Sequence, residues 1–229
     1  MPFDFNASWQ EYIESARAPA QGQFPRERSW DYLWDYVHPN VGTPDGRNSL
    51  ITGKNRELTS LHLGFFLASW GMFRKGRLRS QNLRFFEALA EELFGRTEQQ
   101  FWELELDHFR CADQPAILFD KVVKRLRAFL RTSIGQGDTS LIVGKVLLGA
   151  WGQCPARDRY FNLGFNAFQN EHRANPRYGG QFEGSFLRYI AVLAHENGWH
   201  LYAPRENGTP YPAGKVADMA FFNYGENVG

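Results

Sequence analysis

Two charged residues stand out against their surroundings, Lys145 and Asp158. Lys145 is the one charge in the apolar segment LIVGKVLLGAW at positions 141–151. A Cys-Pro pair follows, and Asp158 then lies between Arg157 and Arg159. An isolated charge in an apolar helix is unfavourable, so such a residue usually has a partner or a task. A lysine and an aspartate arranged in this way are suited to chemistry at a sugar carbon.

Asp158 is the candidate catalytic carboxylate. Breaking a base–sugar bond builds positive charge on the deoxyribose ring, and a carboxylate beside the ring stabilises that charge and orients an attacking water. Lys145 has two roles open to it. If uncharged, it would attack the sugar carbon and form a Schiff base, which would make the enzyme a lyase as well; if charged, it would pair with Asp158. The alternative for both residues is a buried ion pair that joins two helices.

The same segment resembles the active-site segment of helix-hairpin-helix DNA glycosylases. That family has a glycine-rich hairpin, a Gly-x-Lys or Gly-x-Gln element, an apolar helix, and a Pro-x-Asp or Val-Asp element that holds the catalytic aspartate. The nearest Gly-x-Gly in this chain is Gly135-Gln136-Gly137 rather than a pair directly before the lysine. The matching residues are Gly144, Lys145, Val146 through Trp151, Pro155 and Asp158.

This resemblance implies a fold and an activity. The fold would be a compact multi-helix domain of the helix-hairpin-helix glycosylase type, with long loops. The activity would be hydrolysis of the N-glycosidic bond of a flipped base, which leaves an abasic site. Within the family, anti-phage glycosylases that remove bulky modified bases, such as glucosylated hydroxymethylcytosine in viral DNA, are a further match. The C-terminus of this chain has no cysteine cluster for an iron–sulfur group, and no cofactor is expected.

Three aromatic side chains are candidates for a substrate pocket. A base-flipping enzyme needs an aromatic pocket for the extruded base and cations for the flanking phosphates. His62 and Trp70 belong to a largely apolar stretch that leads directly into a basic one. We expect both to contact the base, together with Tyr160 close to Asp158. The alternative for His62 is an ordinary core histidine.

The charges of the chain are segregated rather than abundant. The formal net charge is only +1, which argues against a strongly basic nucleic-acid binder. Residues 74–84 and 121–131, however, carry clusters of cations and no acid, so a local positive surface and a DNA partner are expected. The alternative is two solvated helix faces. The expected DNA-binding residues are Arg74, Lys75, Arg77, Lys124, Arg125, Arg157 and Arg159.

Two other functions stay open. Arg56 and His62 fit the Arg-x5-His spacing of HEPN-type ribonucleases, a metal-independent class of toxin that needs a dimer, although six residues of helix turn the two side chains about 120° apart. A non-catalytic helical module that binds DNA or a partner protein is the third interpretation. Lys215 and Asp218, near the C-terminus, would add a second carboxylate or simply cap the domain.

The elements that must position these residues are predicted to be helical throughout. With 229 residues, 43% of them hydrophobic and 16% aromatic, the chain is predicted to form a single helical domain, 1–229, with two lobes, roughly 1–110 and 111–229, as a variant. No run alternates as a strand would, which indicates an all-α fold. Residues 38–56, rich in Pro, Gly and Asn, are predicted to be a long loop. Apolar periodicity and capping residues predict helices at Ser8–Arg17, Ser29–Val37, Leu58–Phe73, Gln81–Phe94, Thr97–Phe109, Ile117–Leu130, Ser140–Trp151, Tyr160–His172, Phe182–Glu196 and Lys215–Tyr224.

The cysteines and the N-terminus point to a cytoplasmic protein. Two cysteines form no disulfide framework and show no zinc spacing, so a reduced chain without metal is expected. The N-terminus lacks a basic start followed by an apolar run, and residues 61–73, the most apolar stretch, are about half the length that crosses a bilayer. No membrane partner is therefore expected, and the oligomeric state is open.

Overall fold

The computed structural model describes residues 3–17, 25–74, 77–172 and 180–229. Within these ranges the chain is helical and forms no β-strand; an isolated antiparallel bridge joins Pro204 and Pro210. The all-α prediction is confirmed. The helices are α1 Phe5–Arg17, α2 Arg28–Val41, α3 Pro44–Leu50, α4 Gly53–Ser69, α5 Leu83–Ala90, α6 Gln99–Trp102, α7 His108–Cys111, α8 Gln114–Ile134, α9 Ser140–Ala150, α10 Arg159–Glu171, α11 Gly184–Glu196 and α12 Ala213–Val228, with a 3-10 turn Arg77–Ser80 and a π-helical turn Glu91–Gly95.

The long loop predicted for residues 38–56 is wrong, because most of this stretch is helical. Helix α2 continues through Pro39 to Val41. Thr43 then caps α3, since its hydroxyl accepts the backbone N–H of Gly46 at 3.1 Å and Pro44 occupies the first turn. Proline and a hydroxyl residue are favoured at the start of a helix. Some of the residues that suggested a loop, such as Thr43 and Pro44, therefore mark a helix start, and others, such as Pro39, lie within a helix.

The chain divides into two compact units, each assembled from separate segments. Unit 1 consists of Met1–Phe24, Glu105–Ile117 and Gly152–Gly229, and unit 2 consists of Pro25–Leu104 and Leu118–Trp151. Asp158 belongs to unit 1 and Lys145 to unit 2.

The core of unit 1 is rich in aromatic rings. Phe5 stacks on Trp199 with ring centroids 4.4 Å apart, and Phe3 stacks on Phe221 at 5.2 Å. Phe165 meets the same Phe221 ring edge to face. Aromatic pairs at these distances add stability beyond the area that they bury, so this cluster ties α1, α10 and α12 together.

Helices α10 and α12 of unit 1 touch through their backbones. A Cβ atom built on Gly164 would lie 2.1 Å from the carbonyl oxygen of Phe221, and one built on Gly225 would lie 1.8 Å from that of Tyr160. No side chain fits at either position without movement of the backbone. The two glycines therefore fix how α12 lies against the first turns of α10.

In unit 2, the centre of the core is formed by α2, α4 and α9. The indole N–H of Trp30, which is fully buried, donates to the carbonyl of Leu148 at 2.8 Å. A Cβ atom on Gly149 would lie 2.7 Å from side-chain atoms of both Leu33 and Phe66. Helix α9 is thus held deep in this unit, which explains why its sequence is apolar on nearly every side.

Candidate functional site

Asp158 is the N-cap of α10 in unit 1. Its backbone is extended (φ −79°, ψ −177°), and its Oδ1 accepts the N–H of Phe161 at 2.9 Å. The side chain is half-buried. Capping by an aspartate satisfies one of the unpaired amides at a helix start, where the aligned peptide dipoles also favour negative charge. The carboxylate therefore has a fixed position and partial access to solvent.

The neighbours of Asp158 in sequence are two arginines and a tyrosine. Arg157 and Asn162 bond reciprocally: the Arg157 Nε donates to the Asn162 side chain, whose amide donates to the Arg157 carbonyl, both at 3.1 Å. The Arg157 guanidinium also donates to the carbonyl of Gly180. Arg159 is exposed, with its guanidinium carbon 5.7 Å from the ring centroid of the half-buried Tyr160. The structure thus keeps these predicted residues at the start of α10.

The segment that leads into Asp158 is held by α12. Asp218 is 1% exposed, and its Oδ1 accepts the N–H of Ala156 at 2.9 Å. The carbonyl of Ala156 in turn accepts the N–H of Asp158 at 2.8 Å. Sequence reasoning considered Asp218 only as a second carboxylate or a cap. The signal available in the sequence was its spacing of three from Lys215, which places both on one helix face.

Lys145 lies on α9 in unit 2 and is 1% exposed. Its Nζ is 4.2 Å from the ring centroid of Trp70, which follows the last residue of α4. The guanidinium carbon of Arg26 lies 5.1 Å from the same ring. Two predicted site residues, Lys145 and Trp70, are thus in direct contact, and Arg26 is an addition that the sequence did not suggest. The contact is a cation–π interaction in a desolvated setting.

His62 has a different ring partner. Its imidazole stacks on Tyr36 with centroids 4.3 Å apart and an interplanar angle of 4°. Partial burial lowers the pKa of His62 below its usual value. His62 and Trp70 are eight residues apart along α4, a rise of about 12 Å. His62 contacts Tyr36 and Trp70 contacts Lys145 and Arg26, so the structure does not place these two predicted pocket residues against a common neighbour.

The pair expected for a HEPN ribonuclease is also separated. Arg56 makes salt bridges to Glu87 at 3.5 Å and to Glu91 at 3.2 Å, whereas His62 turns to Tyr36. The two side chains of the Arg-x5-His motif therefore point to different helices, as the helical spacing predicts.

The basic stretch 121–131 is partly used inside unit 2. Arg125 is half-buried, forms a salt bridge to Glu92 at 3.0 Å and donates to the carbonyl of Arg96 at 2.7 Å. Burial lowers the pKa of Arg125. Lys121 pairs with Glu98. Lys124 is exposed on the same helix. Of this stretch, Arg125 is thus committed to internal contacts, and Lys124 faces solvent.

The basic stretch 74–84 shows a similar division. Arg77 donates to the carbonyl of Gly135 at 3.0 Å, inside unit 2. Arg74 and Arg84 are exposed. Lys75 lies outside the described residues. This stretch therefore supplies exposed cations from both of its ends.

No protein-family model, no curated protein and no solved structure matches this chain. Among the described residues, no helix combines the length and the apolar character that crossing a membrane requires. In the same ranges, no group of three or more His, Cys, Asp or Glu side chains could hold a metal ion.

Proposed function

We propose that this chain is a DNA glycosylase of the helix-hairpin-helix type, which hydrolyses the bond between a flipped base and its deoxyribose. The observation that carries the proposal is the state of Asp158: a half-buried carboxylate that a hydrogen bond fixes at the start of α10. The resemblance of residues 144–158 to the active-site segment of that family supports the same assignment.

Asp158 is the catalytic group in this proposal. As the C–N bond to the base breaks, positive charge develops on the sugar, and a carboxylate beside it lowers the energy of that state. A water aligned by the same carboxylate bonds to the sugar carbon, and the base leaves with a proton. Because the backbone amide of Phe161 fixes one carboxylate oxygen, little reorganisation is needed during the reaction.

Lys145 is not assigned the role of a nucleophile. The residue is 1% exposed, and its Nζ lies against the Trp70 ring. A nucleophile must reach the sugar carbon to form a Schiff base. We therefore propose hydrolysis without lyase activity, with Trp70 and Lys145 acting as a buried cation–π pair.

Exposed cations supply the DNA contacts. Arg159 and Tyr160 lie next to the catalytic carboxylate and would contact the target nucleotide and its phosphates. Arg74 and Lys124 are exposed and would bind the backbone at other points. A bulky modified base in phage DNA, such as glucosylated hydroxymethylcytosine, is the proposed target, which implies a role in antiviral defence. The free thiols Cys111 and Cys154 fit a reducing, cytoplasmic setting.

The test is base release from defined duplexes. Purified protein is incubated with unmodified, hydroxymethylated and glucosylated duplexes, and abasic sites are revealed as alkali-sensitive strand breaks. We expect breaks with the wild type and none with Asp158→Asn. Absence of breaks on every duplex would refute the proposal. Cleavage of RNA that depends on His62 but not on Asp158 would indicate the HEPN alternative. Biological activity that survives Asp158→Asn but not charge reversal at the exposed Lys124 would indicate a binding module.

A further inference from the structure

A buried ion pair lies in the first turns of α12. Lys215 and Asp218 are each 1% exposed, and the Lys215 Nζ is 3.4 Å from the Asp218 Oδ2. The same Nζ is 3.4 Å from the hydroxyl oxygen of Tyr12 and 5.0 Å from its ring centroid. Replacing a buried ion pair by apolar residues is often neutral or stabilising. Stability alone therefore does not explain why charges occupy these positions.

The second oxygen of Asp218 holds the chain just before the catalytic residue. Asp218 Oδ1 accepts the N–H of Ala156, a residue with no exposure, and the Ala156 carbonyl accepts the N–H of Asp158. Helix α12 meets the same segment one turn earlier. A Cβ atom on Gly214 would lie 2.1 Å from the carbonyl carbon of Gln153. The backbone that leads from Gln153 to Asp158 therefore packs against α12.

We propose that Asp218 is the positioning residue of Asp158. Its carboxylate, oriented by Lys215, fixes the Ala156 amide and so sets the point from which α10 and its capping carboxylate begin. This inference rests on the proposed glycosylase function. Asp218 is not a second catalytic carboxylate, because its lack of exposure keeps it from substrate. The neighbouring Cys154 is fully buried, and burial together with the charge of Asp218 raises the pKa of its thiol.

The experiment compares two double variants that differ in whether residue 218 carries an oxygen that can accept the Ala156 N–H. Lys215→Met with Asp218→Asn removes both charges but keeps an oxygen that can accept from Ala156. Lys215→Met with Asp218→Leu removes both charges and that oxygen. Because neither variant leaves a lone buried charge, both are expected to fold. Each is measured for single-turnover base release, for the Kd of the duplex and for hydrogen exchange of the Ala156 amide.

We expect the asparagine variant to release base within about threefold of the wild-type rate. The leucine variant is expected to be slower by about 10- to 100-fold with an unchanged Kd, since a displacement of about 1 Å at a catalytic group has effects of this size. The Ala156 amide should exchange faster in the leucine variant alone. If that variant is unfolded by circular dichroism, Asp218→Ser with Lys215→Met replaces it, because the shorter side chain does not reach Ala156.

Three results would overturn the inference, and they are distinguishable. Equal rates in the two double variants, with an active wild type, would remove Asp218 from the reaction and leave the proposed function intact. A higher Kd for the duplex in the leucine variant, with an unchanged rate of base release, would show a general structural role. A wild type that releases no base from any duplex would refute the proposed function, and the positioning role would fall with it.

Discussion

The capping role of Asp158 and its proposed catalytic role are separable by substitution. The substitution Asp158→Asn would keep an oxygen that accepts the Phe161 N–H, which lies at 2.9 Å from Oδ1, and asparagine caps helices about as well as aspartate. It would lose the attraction between the carboxylate and the helix dipole, about 0.3–1 kcal/mol. Alanine would lose the cap as well, about 1 kcal/mol more.

These two substitutions therefore predict different stabilities but the same chemistry. Asp158→Ala should lower the midpoint of thermal unfolding by about 2–4 °C relative to Asp158→Asn. Both should reduce the rate of base release by at least about 100-fold, because neither carries a charge to stabilise the sugar cation. Thermal unfolding, single-turnover base release and duplex affinity are measured on the same preparations, and the affinities should stay close to that of the wild type.

The matched pair makes the reasoning refutable. If Asp158→Asn kept base release within about tenfold of the wild type while Asp158→Ala lost it, the residue would act only as a helix cap. Base release would then have to depend on another group.

Three further predictions concern other candidate residues. Sodium borohydride should trap no complex between the wild type and a modified duplex; a trapped complex that disappears in Lys145→Met would instead make this lysine the nucleophile. Lys124→Ala should weaken duplex binding and reduce the slope of log Kd against log salt by about one, without a change in thermal stability. Arg125→Ala should instead lower the free energy of unfolding by about 1–3 kcal/mol, because it leaves Glu92 without this partner. Burial lowers the pKa of His62 in the folded state, so the unfolded chain binds more protons near that pKa. The free energy of unfolding should therefore fall as the pH drops below about 6.5. Denaturant titrations should show that this free energy depends less on pH in His62→Gln, and an unchanged dependence would contradict the role of His62.

Most helices of this chain could be predicted from its sequence because they carry an apolar face at helical spacing. The single helix predicted at Thr97–Phe109 is wrong, since two short helices, Gln99–Trp102 and His108–Cys111, are observed instead. Helix α9, predicted at Ser140–Trp151, is observed at Ser140–Ala150, and the helix predicted at Tyr160–His172 is observed at Arg159–Glu171. Residues 38–56 were assigned wrongly because proline, glycine and threonine favour both loops and helix starts. The hydrogen bond from the Gly46 N–H to the Thr43 hydroxyl shows that a helix starts here rather than a loop.

The candidate site could be predicted only in part. The chain places Arg157 through Tyr160 together because they are adjacent in sequence. The partners of the basic stretch 121–131 could not be found in this way, since Glu92 and Glu98 come from a segment that precedes it by about two dozen residues or more. Long-range pairing depends on how helices pack, and local patterns of charge and hydropathy do not reveal it. Charge clusters in the sequence therefore overestimate the positive surface that is exposed to solvent.

The role of α12 also depends on long-range contacts, which its own sequence does not reveal. Read alone, the helix is an apolar C-terminal element with one lysine and one aspartate on a shared face. In the fold, Gly214, Asp218 and Gly225 succeed one another along it and contact Gln153, Ala156 and Tyr160 in the same order. At Gly214 and Gly225 the contacts are with backbone atoms, so no side-chain rotation relieves a change there, whereas Asp218 makes its contact through its side chain. Helix α12 therefore fixes the backbone on both sides of Asp158, and a carboxylate that stabilises charge on a sugar requires a fixed backbone of this kind.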